Sequence, residues 1–344
     1  MRAFGLSSLC ALLASAGVCL AAPADGNKRY MVKRGATEYK VLEHRATGAK
    51  LEIVENSGVC ETTPGVKQYS GYLSVGSDMS MWFWFFEARN SPETAPVAAW
   101  FNGGPGCSSM VGLFQENGPC QFYNGSNEPS LNPYSWNEYA NMLYVDQPID
   151  VGFSYGAGGT GTSEGAAALV WKFFQAFCDE YPKYENRDFA IFTESYGGHY
   201  GSVFGDYIVQ QNKGVKNGSI QGQEINFVAL GINNGWFNSY YNYPAEIEFA
   251  YNNTHRPLIS KSRRDSLMST YETRCVPLLD TCARTSTNAD CSRANAACGF
   301  AVENGVISSA DFNAYNVREP ADDPNPPQTY INWLSSDAIK AKIG

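Results

Sequence analysis

The sequence predicts an α/β fold. Three observations carry that prediction. Residues 141–148 (NMLYVDQP) and 188–194 (DFAIFTE) are short aliphatic and aromatic runs of strand character, and the helical stretch 163–181 lies between them. Strand, helix and strand in that order imply a parallel crossover. A serine, Ser195, follows the second run directly and precedes the glycines of FTESYGGHY (192–200), a strand-to-helix turn that holds a side chain at the end of a sheet.

The first residues hold Arg2, an apolar run to Leu20 and small residues at Ala21 and Ala22. This is the layout of a secretory signal, expected to be removed near Ala21, and it is short of the ~20 residues of a spanning helix. Two of the ten cysteines fall inside this segment; the remaining eight suit disulfides in an oxidising compartment. Acceptors for N-glycosylation at Asn124, Asn217 and Asn252 fit the same route, so the expected location is extracellular, with no membrane association after signal removal.

From residue 22 to 239 the pattern is that of a core. Between 68 and 102 come YSGYLSV, SMWFWFFEA and PVAAWFN, three strand-like runs with polar or Pro-containing breaks. In 163–181, Ser163 is placed to cap, Glu164 favours the first turn and Pro182 stops the helix. INFVALGINNGWF (225–237) returns to strand character. Residues 240–318 are more polar and hold four cysteines, as expected of a helical insertion stapled by its own disulfides. After a Pro-rich loop, the tail from 319 to 344 ends in SSDAIKAKIG, a capped helix start. An end so soon after a helix start leads to the expectation that the chain is cut short.

The 344 residues suffice for a large core, and aromatic residues make up 14 % of them. Charged residues are only 17 %, and the net charge of −9 comes without a Lys/Arg block, which argues against nucleic acid as a partner.

Around Ser195 the pattern small-x-Ser-x-Gly is met by Thr193, Ser195 and Gly197, with threonine where glycine is usual. WFNGGPGCSSM (100–110) also follows a strand, and its glycines let backbone N–H groups approach a ligand, as an oxyanion hole requires. Together with LFQENGPC (113–120) and NMLYVDQPIDVGFSYG (141–156), these blocks resemble the serine carboxypeptidases, fungal members included, in the family's order from about Gly58 onward.

The resemblance implies an α/β-hydrolase fold, with a mixed, mostly parallel sheet flanked by helices, and peptide or protein C-termini as substrate. It implies Ser195 as nucleophile and the N–H groups of Gly104 and Tyr196 as oxyanion donors. Asn102, Gly103, Glu116 and Glu194 match the group that grips the substrate's terminal carboxylate, and Trp100 matches a substrate-side wall. An amide and an N–H donate to a carboxylate, and two close glutamates sharing a proton at acidic pH become donors as well, so activity is expected to favour acidic pH. Cys60–Cys120, Cys275–Cys298 and Cys282–Cys291 match the family's disulfides, the last two in a lid-like insertion; Cys107 and Cys178 stay unassigned. No cofactor or metal is called for.

The family's aspartate and histidine belong to motifs that would lie beyond Gly344. Of the histidines, His44, His199 and His255, none matches the catalytic base. A serine without a base is a poor nucleophile, so the chain as it stands is expected to be nearly inactive. Two other readings keep the same site: an acyltransferase that passes the acyl group to an alcohol or amine, and a non-catalytic secreted peptide-binding protein.

Overall fold

A computed structural model describes residues 28–43, 50–123, 125–307, 311–322 and 326–344. The signal segment, His44 and Asn124 lie outside the described residues. Among the described residues one sheet has nine strands in its main path, β1 (Lys28–Arg34), β2 (Thr37–Glu43), β3 (Lys50–Glu55), β4 (Gln68–Gly76), β5 (Met79–Phe86), β6 (Val97–Phe101), β7 (Asn141–Val145), β8 (Phe189–Glu194) and β9 (Phe227–Asn233), and a tenth, two-residue strand, Tyr155–Gly156, pairs with β5. Their spatial order is 1-2-3-4-5-7-6-8-9.

The sheet is mixed. Strands β1 to β5 are antiparallel, since consecutive strands there are joined without a crossover helix, and β5 pairs antiparallel with β7 as well. β7, β6, β8 and β9 run parallel. The parallel character that the strand–helix–strand order predicts therefore belongs to the half that carries Ser195. Strands β1 to β3, which the sequence reading does not anticipate, extend the other half.

The centre of the sheet is built by β5, MSMWFWFF. Alternation sends Trp82, Trp84 and Phe86 to one face and Phe83 and Phe85 to the other, and all five are buried. On the second face lies α2 (Ser163–Glu180), whose Phe173 and Phe177 meet the Phe83 ring edge-on at 5.4 and 5.9 Å. Burying one such ring contributes about 1.5–3 kcal/mol. α3 (Gly197–Lys216) packs beside α2 through Tyr200, Phe204 and Ile208. Thr162, not Ser163, caps α2: Thr162 is extended and its hydroxyl oxygen accepts from the Gly165 N–H.

The first face is covered by α1 (Met110–Gln115). The helical stretch begins at α4 (Ser239–Tyr251) and continues through α5 (Lys261–Thr270), α6 (Val276–Thr285) and α7 (Asn288–Cys298). Tyr243, Ile247, Leu267 and Val302 give it a small core of its own, and disulfides join Cys275 to Cys298 and Cys282 to Cys291.

α8 (Thr329–Ser335) and α9 (Asp337–Ile343) then return to the sheet. Tyr330 stacks on Phe114 at 5.3 Å, and the Ser70 hydroxyl donates to the Ile343 carbonyl at 2.7 Å.

A third disulfide, Cys60–Cys120, closes a loop of 60 residues that contains β4 to β6 and α1. Replacing both cysteines with serine is expected to lower stability by about 2–4 kcal/mol, read from urea titration as a lower unfolding free energy with a steeper slope, because the unfolded chain loses its cross-link.

Candidate active site

Ser195 stands at the carboxyl end of β8, where the chain turns into α3, with φ of +60°. A non-glycine residue in this left-handed region is strained, and its surroundings hold it there. The Ser195 N–H donates to the Asn233 carbonyl at 3.1 Å, and the Ser195 carbonyl accepts from Gly198 at 2.9 Å and Trp236 at 2.7 Å. β9 and the segment after it thus clamp the turn from both sides.

Thr193 fits because α3 leaves room for it. Its hydroxyl donates to the Gly197 carbonyl at 2.9 Å, and a Cβ on Gly197 would stand 2.5 Å from Thr193 Cβ.

The loop after β6 meets this turn backbone to backbone. A Cβ on Gly103 would lie 2.4 Å from the Tyr196 nitrogen and 2.6 Å from the Glu194 carbonyl oxygen, so only glycine allows the approach. Gly104 follows with φ of +105°. Among the described residues, no acceptor takes the backbone N–H of Gly104 or Tyr196.

Beside this pair lies a buried amide. Asn102 Oδ1 accepts from the Trp100 indole N–H and from the Gly112 N–H, each at 2.8 Å, which fixes the orientation of the side chain. Its Nδ2 then donates to Glu116 Oε1 at 2.8 Å and to Glu194 Oε2 at 3.3 Å. The amide of Asn102 therefore bridges the two carboxyls. Burial, with the Glu194 carboxylate adding to it, pushes Glu116 up to about 7, against the lowering pull of the Asn102 amide. Below that pH Glu116 is a neutral acid with an O–H to donate; above it, a carboxylate that repels an anion.

The loop is anchored from behind by Asp146, fully buried at the end of β7. Asp146 Oδ1 accepts from the Ser108 hydroxyl at 2.6 Å and the Ser109 N–H at 3.0 Å, and Oδ2 accepts from the Phe153 N–H at 2.9 Å. In front, a cavity of about 960 Å³ contains Gly104, Ser195, Tyr196 and His199 on the sheet side and residues of the helical insertion.

The chain that builds this arrangement has relatives. The family model for serine carboxypeptidases matches residues 58–342. The chain belongs to the serine carboxypeptidase family. It is 58 % identical to carboxypeptidase S1 of Penicillium janthinellum over 292 residues, which cover 85 % of this chain and 69 % of that protein. It is 34 % identical to carboxypeptidase S1 homolog A of Arthroderma otae over 368 residues, covering 86 % of this chain and 56 % of the relative. The chain thus spans little more than half to about two thirds of the length of these curated relatives. A prohormone-processing carboxypeptidase from Saccharomyces cerevisiae has the same fold, with a TM-score of 0.64 at 24 % identity, over 82 % of this chain and 65 % of that one. The sheet and its helices are therefore those of the α/β-hydrolase fold as serine carboxypeptidases build it.

Within this family member the structure brings Asn102, Gly103, Gly104, Glu116, Glu194, Ser195 and Tyr196 into one neighbourhood. Trp100 supports Asn102 from below. It is 3 % exposed, its N–H is committed to Asn102, and its ring meets Trp136 edge-on at 5.5 Å. Trp236, partly exposed, is the indole that lines the cavity.

His199 lines the cavity with its ring 4.6 Å from that of Tyr196, and burial lowers its pKa. Among the described residues, no hydrogen bond joins it to the Ser195 hydroxyl. His255 is exposed in the loop after α4. Asn217 and Asn252 are exposed at the ends of α3 and α4. No helix of the described residues is long and apolar enough to cross a membrane.

Two residues were passed over by the sequence reading. Asn234 Nδ2 donates to Glu194 Oε1 at 3.2 Å, and Asp146 holds the loop. Both lie at the carboxyl ends of parallel strands, the edge at which open α/β sheets gather their sites, and that position was the available signal.

Proposed function

We propose that the chain carries the nucleophile, oxyanion donors and terminal-carboxylate clamp of a serine-type carboxypeptidase that works at acidic pH in the secretory route. Ser195 Oγ attacks the carbonyl carbon of the last peptide bond and passes its proton to a base. The oxyanion that forms is met by the N–H groups of Gly104 and Tyr196; the C–N bond then breaks, the terminal residue leaves with the proton on its amine, and water hydrolyses the acyl-serine. The base and its acidic partner are proposed to come from the part of the longer relatives that lies outside the matched span.

The observation that carries this reading is the Asn102 amide held between Glu116 and Glu194 beside the Ser195 turn. An oriented amide donor next to a carboxyl that stays protonated to about pH 7 suits the free carboxylate of a peptide's last residue. An interior peptide bond offers no such group.

Binding tests the clamp without requiring turnover. Calorimetric titration of the chain with a peptide acid and its amide should give tighter binding of the acid at pH 5. Affinity for the acid should fall about ten-fold or more by pH 9, as Glu116 ionises. Glu116→Gln should flatten that fall. Equal affinity for acid and amide at pH 5 would rule the clamp out. On a longer form that supplies the base, a fluorophosphonate probe separates the catalytic reading from a purely peptide-binding one, since only an activated Ser195 is labelled.

A further inference from the structure

Tyr144 is a fully buried phenol in β7, packed in one cluster with Trp84, Phe86, Phe114 and Met142. Its ring meets Phe86 edge-on at 6.2 Å, and a phenylalanine ring would fill the same space. A hydroxyl in such surroundings costs free energy unless it has a partner. The partner is Asn117 Oδ1, which accepts from it at 2.8 Å. Asn117 is itself buried, and its Nδ2 makes no hydrogen bond among the described residues, so the Tyr144 hydroxyl is what orients this side chain.

Asn117 follows Glu116 directly. Glu116 lies just past the end of α1, a helix of six residues, with a backbone that is no longer helical (φ −124°, ψ −75°). So short a helix does not hold its own end firmly. The N–H groups of Glu116 and Asn117 both donate to the Gly112 carbonyl, at 3.1 and 2.9 Å, and the Asn117 carbonyl accepts from the Trp136 N–H at 3.0 Å and the Ser135 hydroxyl at 3.1 Å. Trp136 lies against Trp100, whose indole N–H orients Asn102. These contacts close a ring that begins and ends at the hydrogen bond from Asn102 to Glu116. Tyr144 ties the ring to the middle of the sheet.

We propose that Tyr144 is a positioning residue for the carboxylate clamp, its hydroxyl acting through Asn117 to hold Glu116 within reach of the Asn102 amide. This rests on the reading of the clamp above. The bond from Asn102 to Glu116 is 2.8 Å long, and a hydrogen bond weakens steeply as it lengthens or bends, so freedom at residue 117 is felt at the carboxyl of residue 116.

The test is a double-mutant cycle on the full chain at pH 5. Binding of acetyl-Ala-Phe as free acid and as amide is measured by calorimetry, and folding by urea titration. Tyr144→Phe should cut the acid-over-amide preference about five-fold or more while affinity for the amide stays within about two-fold. Asn117→Leu, which removes the acceptor instead of the donor, should do the same and serves in its place if Tyr144→Phe does not fold. In Glu116→Ala no carboxyl is left to position, and there Tyr144→Phe should change the remaining preference by less than about two-fold. A tyrosine with a merely structural role would lower stability in both backgrounds and leave the preference alone. An unchanged preference in the single variants, or an equal loss with and without Glu116, would overturn the proposal. If the unmodified chain binds acid and amide alike, the clamp itself fails, and that result is read before any substitution is made.

Discussion

Replacing Asp146 with alanine is expected to lower the stability of the chain by about 3–5 kcal/mol, more than any other single truncation at the site. The carboxylate accepts from the Ser108 hydroxyl and from the N–H groups of Ser109 and Phe153, and it is fully buried, so alanine leaves these donors without a partner where water does not reach. Asp146→Asn separates charge from hydrogen bonding. Burial pushes Asp146 up to about 6, against the pull of its three donors. A carboxyl raised in the folded state favours folding most below its unfolded pKa of about 4. That contribution is lost, by about 3 kcal/mol, as pH rises through 6. Between pH 4 and 7 the unfolding free energy of the wild type should therefore decline relative to that of Asp146→Asn. Parallel profiles from urea titrations would contradict the assignment.

Gly103→Ala is expected to abolish peptide-acid binding and to cost several kcal/mol, about 3 or more. Its Cβ would stand 2.4 Å from the Tyr196 nitrogen and 2.6 Å from the Glu194 carbonyl oxygen, and backbone atoms inside a strand-to-helix turn have no rotamer to yield. Either the glycine loop or the serine turn must move, and both carry a donor of the proposed oxyanion hole. Thermal unfolding and titration with a peptide acid measure the two effects on one sample. A variant that binds like the wild type would show that the loop and turn tolerate separation.

The parts of the fold that were legible in the sequence are those in which local pattern and tertiary role agree. β6, β7 and β8 are buried on both faces and read as apolar runs, and α2 has a clear start and stop. β1 was not legible, because KRYMVKR is almost wholly exposed and alternates too weakly to mark a strand; its pairing with β2 defines it. Thr162 and Ser163 are both cap residues in sequence, and only backbone conformation decides between them. At the site, residue identities were readable through motif blocks, but orientation was not. Trp100 and Asn102 lie two apart, and whether the indole faces a ligand or supports the amide depends on α1 packing against it through Gly112.

The contact between Thr193 and Gly197 ties together two positions that sequence comparison would treat as separate. With threonine at 193, a side chain at 197 would collide with its Cβ, and the hydroxyl already holds the Gly197 carbonyl. The order of substitution therefore matters. A lineage could exchange Thr193 for glycine first and only then place alanine at 197, whereas the reverse order passes through a broken turn. The threonine that makes the motif look imperfect is in this sense a lock on the glycine four residues later.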